Sequence, residues 1–528
     1  MRRPRVTLAA LTVLCLVPFL GKAIHVDEPL FVWMAQHIRL YPLDPYGFTV
    51  NWYGTVVPMV EAMRNPPLAA YVMALWGSVA GWSEVSLHAL FLLPAVAAVL
   101  GIYELASSLC RRPFIAAFAS VASPAFIVSS TSVMCDVMML AWWSWALALW
   151  IQGIDAGDRR RLLGAAALTA ACVLTKYNGA GLVPLLALYA LWRRPGTVVY
   201  LAIPLAVLAG YAALMLRGYG GPALWRAVSL ATDDHAGASP ASVLAQGVVT
   251  LAFIGGCFVA TLLYAVVLWP RWAAACGAAM VAAGALWPWP LAGVAAGESW
   301  HAIQLLLFVA GGVVLVALAV ADVRRGLDAT SALLACWLTG TVLFAGAVSW
   351  SVSARYLLTL APVSGILLAR ALDARRLAGW LIWAPAAAAL AIALLVARAD
   401  AAFAASARTA ARTFQLAHAG QPGTLWYQGH WGFQYYMDLG GAKAVDFDHP
   451  WFATGDVMII PTNNANISVI DPKWVATSDV LEFPAGSWIR TISPRAGAGF
   501  YSSVFGSVPF VFGVATNETY TRVVIGGR

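Results

Sequence analysis

Apolar runs long enough to cross a bilayer recur through the first three quarters of the chain, separated by short polar turns. A span needs about 20 mainly apolar residues. Runs of that kind fall near 5–24, 86–109, 113–131, 137–153, 162–175, 178–192, 197–216, 244–269, 272–293, 302–321, 330–350, 355–370 and 378–397, which predicts thirteen spans. From about residue 400 the pattern changes. Apolar runs shorten, and Asn, Asp, Thr and Gly become frequent. There "TLWYQG" reads as a strand, "WGFQYYMDLGG" as a short helix stopped by glycine, and "DVMIIPT" as another strand. The pattern therefore predicts a polytopic α-helical membrane domain over 1–399 and a small exported α/β domain over 400–528, with amphipathic helices in a first outer loop, 25–85.

Composition supports this division. The 528 residues are 61% hydrophobic and only 11% charged, against about 25% charged in soluble domains. A net charge of +8 could suggest nucleic acid, but the basic residues are not gathered on one stretch. They stand between apolar runs as Arg111–Arg112, Arg159–Arg160–Arg161, Arg193–Arg194, Arg324–Arg325 and Arg375–Arg376, as cytoplasmic loops do under the positive-inside rule. With "MRRPR" inside, alternating the spans puts all these clusters inside. The N-terminus is thus expected in the cytoplasm of a cell whose inner (plasma) membrane holds the chain, with the C-terminal domain exported. The first run also has the basic start, apolar centre and small residues of a signal peptide. The seven cysteines all precede residue 337 and have no metal-ligand spacing.

The same alternation places several polar groups outside. "HVDEPLFVWMAQHI" carries the adjacent carboxylates Asp27 and Glu28 just beyond the first run. Asp27 has the position of a helix N-cap, with Glu28 and Pro29 in the first turn. Asp136, in "SSTSVMCDVMMLAWW", is the only acidic residue between Glu104 and Asp155. An ionisable group at membrane depth is costly and points to function. Arg64, Lys176 and Arg355 also fall on the outer side, although each could instead snorkel to lipid headgroups.

Carboxylates and cations on one outer face suit transfer of a sugar from a lipid phosphate. A carboxylate can take the proton of an attacking hydroxyl or amine, worth about 10²–10⁴-fold. Fixed cations stabilise the phosphate that leaves, Arg through a fork and Lys as a point charge.

"HVDEPLFVWMAQHI", "NPPLAAYVMALWG", "SVMCDVMMLAWW", "LTKYNGAGLVPLLALY" and "ARYLLTLAPVSGILLAR" occur in this order. Together they resemble the C-type glycosyltransferase superfamily, in its protein O-mannosyltransferase and aminoarabinose lipid A transferase branch, over roughly residues 5–370. The resemblance implies that Asp27 is the catalytic base with Glu28 as neighbour, and that Asp136 is a second functional acid. It implies an inverting reaction on a polyprenyl- or dolichyl-phosphate sugar. Relatives often carry a basic residue directly before the Pro-Pro-Leu motif to bind the lipid phosphate. Here Asn65 stands directly before Pro66, and Arg64 one position further back. Lys176 and Arg355 match recurring basic positions. Some relatives use a divalent cation and others do not, so no cofactor is firmly implied. The expected partners are the bilayer and the polyprenyl-phosphate-linked sugar; the acceptor is unknown, and nucleic acid is not expected.

Several further groups are weaker candidates. Asp233, Asp234 and His235 lie in "SLATDDHAGASP" and could bind acceptor or cap the next helix. Trp431 could stack on a sugar ring or fill the core of the small domain. His430 and His449 read as surface histidines. Two other functions stay open at this point. A transporter or flippase would need charges at mid-membrane and paired halves, which the sequence lacks. A polymerase or ligase of lipid-linked polysaccharide would use the same outer-face chemistry on a longer donor.

Overall fold

A computed structural model describes residues 3–220, 240–270, 299–375, 377–486, 488–513 and 516–526, with a few positions between 275 and 282. It is a multi-pass helical membrane protein with a β-sheet region at its C-terminal end. Among the described residues, six helices are long and apolar enough to cross a membrane, or eight if each of two bent pairs counts as one span. The thirteen spans expected from the sequence are not reached in this count. The run 272–293 lies largely outside the described residues.

The shortfall elsewhere has local causes. The expected span 113–131 is two helices, Pro113–Val121 and Pro124–Ser130, bent by 64°. Ser123 accepts a hydrogen bond from the Phe126 N–H and Pro124 opens the second helix. That is a helix start signal in the middle of an apolar run. Helices Arg159–Thr175 and Leu182–Arg193 are separated by a tight 3₁₀ turn, Tyr177–Gly181. A Cβ on Gly179 would lie 2.6 Å from the Cys172 carbonyl oxygen. Only glycine lets the turn fold this closely onto the preceding helix.

The first outer segment holds more than helices. Helix Glu28–Leu40 is followed by an antiparallel hairpin, Thr49–Trp52 with Thr55–Pro58. Tyr53 and Gly54 both have positive φ, 66° and 80°, the two-residue turn that matches strand twist. Helix Leu68–Ala80 then leads into the long helix Glu84–Leu109.

At the other end, one helix runs Gly379–His418. The expected division at 399/400 falls inside it. Beyond it lies a five-stranded mixed sheet in the order Lys443–Ala444, Leu425–Tyr427, Val457–Pro461, Glu518–Ile525, Val475–Phe483. The first three strands pair parallel and the remaining pairs are antiparallel. Helix Trp431–Leu439 links Leu425–Tyr427 to Lys443–Ala444, as "WGFQYYMDLGG" predicts. A Cβ on Gly432 would collide with the Ile24 carbonyl oxygen. The start of this helix therefore packs directly on the segment before Asp27.

Candidate functional site

Asp27 occupies the N-cap position of helix Glu28–Leu40, but its carboxylate makes no capping bond. It faces Arg355 instead. Nη2 of Arg355 donates to Oδ2 of Asp27 at 2.8 Å. Asp27 is one-third exposed and Arg355 is 17% exposed in their side chains. Among the described residues no hydrogen bond is made to the other oxygen of Asp27, Oδ1.

Arg355 opens the short helix Ala354–Leu357, whose N-cap Ser353 accepts from the Arg355 backbone N–H. The guanidinium is held on three sides. Besides Asp27, Nη1 lies 3.0 Å from Sδ of Met134, and the group sits 5.7 Å from the ring centre of Tyr501, a cation–π contact. Nε has no partner. A guanidinium has five N–H donors, so much of its donor capacity is unused by Asp27.

The second pair stands beside the first. Lys176 Nζ donates to Oδ1 of Asp136 at 2.5 Å, both side chains almost fully enclosed. Asp136 is the first residue of helix Asp136–Ala156, where the helix dipole favours a carboxylate. Lys176 leaves the end of helix Arg159–Thr175 at the turn that Gly179 makes possible, and its ammonium lies 5.0 Å from the ring centre of Tyr356. Arg355 is within electrostatic reach of both Asp27 and Asp136. The order of charges is thus Asp27, Arg355, Asp136, Lys176, alternating in sign.

Glu28 does not join this row. Its side chain is fully buried, and Oε2 accepts from the His25 backbone N–H at 3.0 Å. Burial pushes its carboxyl up to about 7, against the pull of nearby Lys22. Arg64 is half-buried, with Nε donating to the Glu61 carbonyl at 3.3 Å and the guanidinium 6.0 Å from the ring centre of Tyr53. It forms no ion pair among the described residues. Trp431 is buried, its ring edge-on to Phe505 at 5.3 Å, so it is part of the packing. Asp233, Asp234 and His235 lie outside the described residues. Of the two histidines read as surface groups, His449 is exposed, whereas His430 is buried and stacked on Trp52 at 4.9 Å. Burial lowers the His430 imidazole to about 4.

A network that the sequence does not reveal lies directly behind Asp27. Asp400, in the long C-terminal helix, accepts from Lys22 Nζ at 2.7 Å, Thr491 Oγ1 at 2.9 Å and Tyr501 OH at 2.8 Å. His25 Nε2 stands 3.8 Å from the same carboxylate. Tyr501 therefore touches both centres, by its hydroxyl at Asp400 and by its ring at Arg355. Among the described residues, no three His, Cys, Asp or Glu side chains gather so as to hold a metal ion.

Apolar helices that bring two carboxylate–cation pairs together under a C-terminal sheet region define a multi-pass membrane protein with a charged site in its polar part. Residues 64–217 match the family model described as dolichyl-phosphate-mannose-protein mannosyltransferase. This agrees with the resemblance carried by the ordered motifs. No curated protein matches the chain. Among solved structures, ArnT from Cupriavidus metallidurans bound to undecaprenyl phosphate is 15% identical, with 87% of this chain and 93% of that chain covered and a TM-score of 0.42. The S. cerevisiae Pmt1-Pmt2 complex bound to the sugar donor is 16% identical, over 42% of this chain and 34% of that one, with a TM-score of 0.32. Mycobacterial arabinofuranosyltransferase AftD is 14% identical, over 100% of this chain and 40% of that one, with a TM-score of 0.45.

Proposed function

We propose that this chain is an inverting glycosyltransferase that moves a sugar from a polyprenyl-phosphate donor to an acceptor on the exported face of the inner membrane. Asp27 is the general base. Its free oxygen, Oδ1, takes the proton of the acceptor hydroxyl or amine as that atom bonds to the anomeric carbon. The bond from the anomeric carbon to the phosphate oxygen breaks, and the lipid phosphate leaves with the electron pair. Attack opposite the leaving group inverts the anomeric centre.

The single observation that carries this reading is the Asp27–Arg355 pair. It joins a partly exposed carboxylate with one oxygen unused to a guanidinium with donors to spare. A base and an anion-binding fork at hydrogen-bond distance are what transfer from a phosphate ester requires. Arg355 and Arg64 bind the donor phosphate. The enclosed Asp136 and Lys176 fix Arg355 from behind by charge and are positioning residues. Glu28 holds the turn before Asp27 through the His25 N–H. The family match over 64–217, to mannosyltransferases that use a dolichyl-phosphate sugar, supports a lipid-phosphate donor. In this reading 1–399 is the catalytic membrane part and 400–528 the exported part.

The test is to incubate purified protein with a panel of polyprenyl-phosphate sugars and an envelope lipid or glycan extract, and to follow donor consumption. The reading requires consumption of at least one donor by the native chain and consumption slower by about a hundredfold or more in Asp27→Asn. Equal consumption by both proteins would remove Asp27 as base.

A further inference from the structure

A cavity of about 450 Å³ lies between the first outer segment and the C-terminal sheet region, away from the paired charges. Its size falls within the roughly 300–1,000 Å³ of small-molecule sites. Three elements wall it. Trp33 and Gln36 project from one face of helix Glu28–Leu40, Asn51 from the hairpin, and Gln434 and Asp438 from helix Trp431–Leu439, with Tyr427 from the strand next to the sheet edge. The spacings 33/36 and 434/438 each put both side chains on one side of a helix.

The walls are fixed to each other by hydrogen bonds rather than by apolar contact alone. Gln434 Nε2 donates to the Asn51 carbonyl at 2.8 Å, and Asn51 Nδ2 donates to the Val445 carbonyl at 3.0 Å. Phe447 N–H closes on the Gly54 carbonyl at 2.8 Å. Tyr427 OH donates to Asp438 at 2.5 Å. The Trp33 ring is set by Trp52, edge-on at 6.3 Å, and by Tyr435 at 6.4 Å, and is itself only partly buried. The pocket is therefore formed before any ligand arrives.

Its chemistry selects one ligand class. The described lining contains neither lysine nor arginine, and its one carboxylate is Asp438. A phosphate or an acidic sugar would meet the Asp438 carboxylate and, besides His37, no side chain able to carry a positive charge. Side-chain amides and a carboxylate can meet hydroxyl groups as both donors and acceptors. The flat indole of Trp33, only partly buried, offers an apolar face to C–H groups. Amides, one acid and aromatic faces in a preformed pocket fit a neutral hydroxylated ring.

We infer that this cavity, walled by Trp33, Gln36, Asn51, Gln434 and Asp438, is a binding site for a neutral saccharide of roughly one or two rings. Gln36 lies nine residues beyond Asp27 on the same helix, about 13 Å along its axis. A glycan seated in the cavity is thus within a few sugar units of Asp27. Its use as an acceptor subsite, unlike the binding itself, rests on the proposed transfer reaction.

Binding is tested on the full chain in amine-oxide micelles, which carry no sugar headgroup, by saturation-transfer NMR near neutral pH. The probes are methyl glycosides of neutral pentoses and hexoses and their disaccharides, with glucose 1-phosphate and the methyl glycoside of galacturonic acid, its carboxylate free, as anionic controls. Saturation transfer to at least one neutral probe is expected, with affinity falling about tenfold or more in Trp33→Ala and in Gln36→Ala, and no gain for the anionic probes. Helical content and elution volume check that both variants are folded. Gln36→Ala alters a side chain on the cavity wall and decides the matter if Trp33→Ala does not fold. Asp27→Asn is expected to bind the same probe as the native chain. No transfer to any neutral probe, stronger binding of the anionic ones, or undiminished binding in Gln36→Ala overturns the inference. Because no donor is present, saccharide binding without any donor consumption would leave this site standing and remove the reaction.

Discussion

Lys22 and Asp400 are 378 residues apart in sequence and form an ion pair at 2.7 Å with both side chains wholly enclosed. The pair joins the segment just before Asp27 to the long C-terminal helix. Thr491 and Tyr501 complete the shell of Asp400 from the C-terminal region. Burying two charges is expensive, and such a pair is weak evidence of net stabilisation. Breaking it is another matter, because the remaining charge is left without a partner. Asp400→Asn or Lys22→Met is expected to cost about 3–5 kcal/mol, seen as an earlier thermal transition of the purified protein. Combining both changes should cost less than the two added together. Single variants that melt with the native chain would show that the pair does not hold the two ends together.

The Asp27–Arg355 pair makes a kinetic prediction. Asp27→Asn should lower turnover by about 10²–10⁴-fold, with donor affinity changed little, because Arg355 and Arg64 remain. Arg355→Gln removes charge-assisted hydrogen bonds worth about 1.5–3 kcal/mol. Donor affinity should then fall by roughly tenfold to a hundredfold. Arg355→Lys should recover only part of this, since an ammonium cannot reproduce the fork. Turnover measured at saturating donor and direct binding of a labelled donor separate the two effects. A loss of donor binding in Asp27→Asn equal to that in Arg355→Gln would contradict these separate roles.

The sequence is informative where a short local pattern places a polar group or an element. Asp27, Glu28, Asp136, Lys176 and Arg355 are all legible as polar groups beside apolar runs. Three predicted elements of the C-terminal region, Leu425–Tyr427, Trp431–Leu439 and Val457–Pro461, are present. What was hidden depends on distant pairing. Nothing local to Lys22 names Asp400 as its partner. Nothing in "TLWYQG" says that Glu518–Ile525 lies between Val457–Pro461 and Val475–Phe483. Adjacent Asp27 and Glu28 looked alike, yet one faces Arg355 and the other is sealed inside, because consecutive residues near a helix start point in different directions. Counting apolar residues also could not detect the Ser123–Pro124 break.

Asp136 gives a prediction that distinguishes positioning from proton transfer. Its carboxylate is enclosed and paired with Lys176, and in the proposed reading it acts on the reaction through Arg355. Asp136→Asn should reduce turnover and weaken donor binding together, while leaving the shape of the pH–rate profile unchanged. Asp136→Asn combined with Lys176→Met should be more stable than Asp136→Asn alone, since the second change removes the stranded ammonium. An altered acidic limb of the profile in Asp136→Asn would instead assign proton transfer to this residue.

Glu28 predicts a pH dependence of stability whose sign follows from its burial. The ordinary value of 4.5 rises to about 7 in the folded chain, so the folded state holds this proton more tightly than the unfolded state does. The associated stability is fully present below the ordinary value and is lost as pH rises through about 7. The shift corresponds to on the order of 3 kcal/mol at most. His25 acts in the opposite direction. Burial lowers its imidazole from 6.5 to about 4, and stability from that group is gained as pH rises between those values. The native chain alone therefore shows a sum of opposing effects, and the informative quantity is its difference from Glu28→Gln. That variant keeps the shape and stays neutral, so its melting temperature should exceed that of the native chain at pH values above about 7 and approach it below about 4.5. A constant difference across the range would mean that Glu28 does not change its protonation on folding.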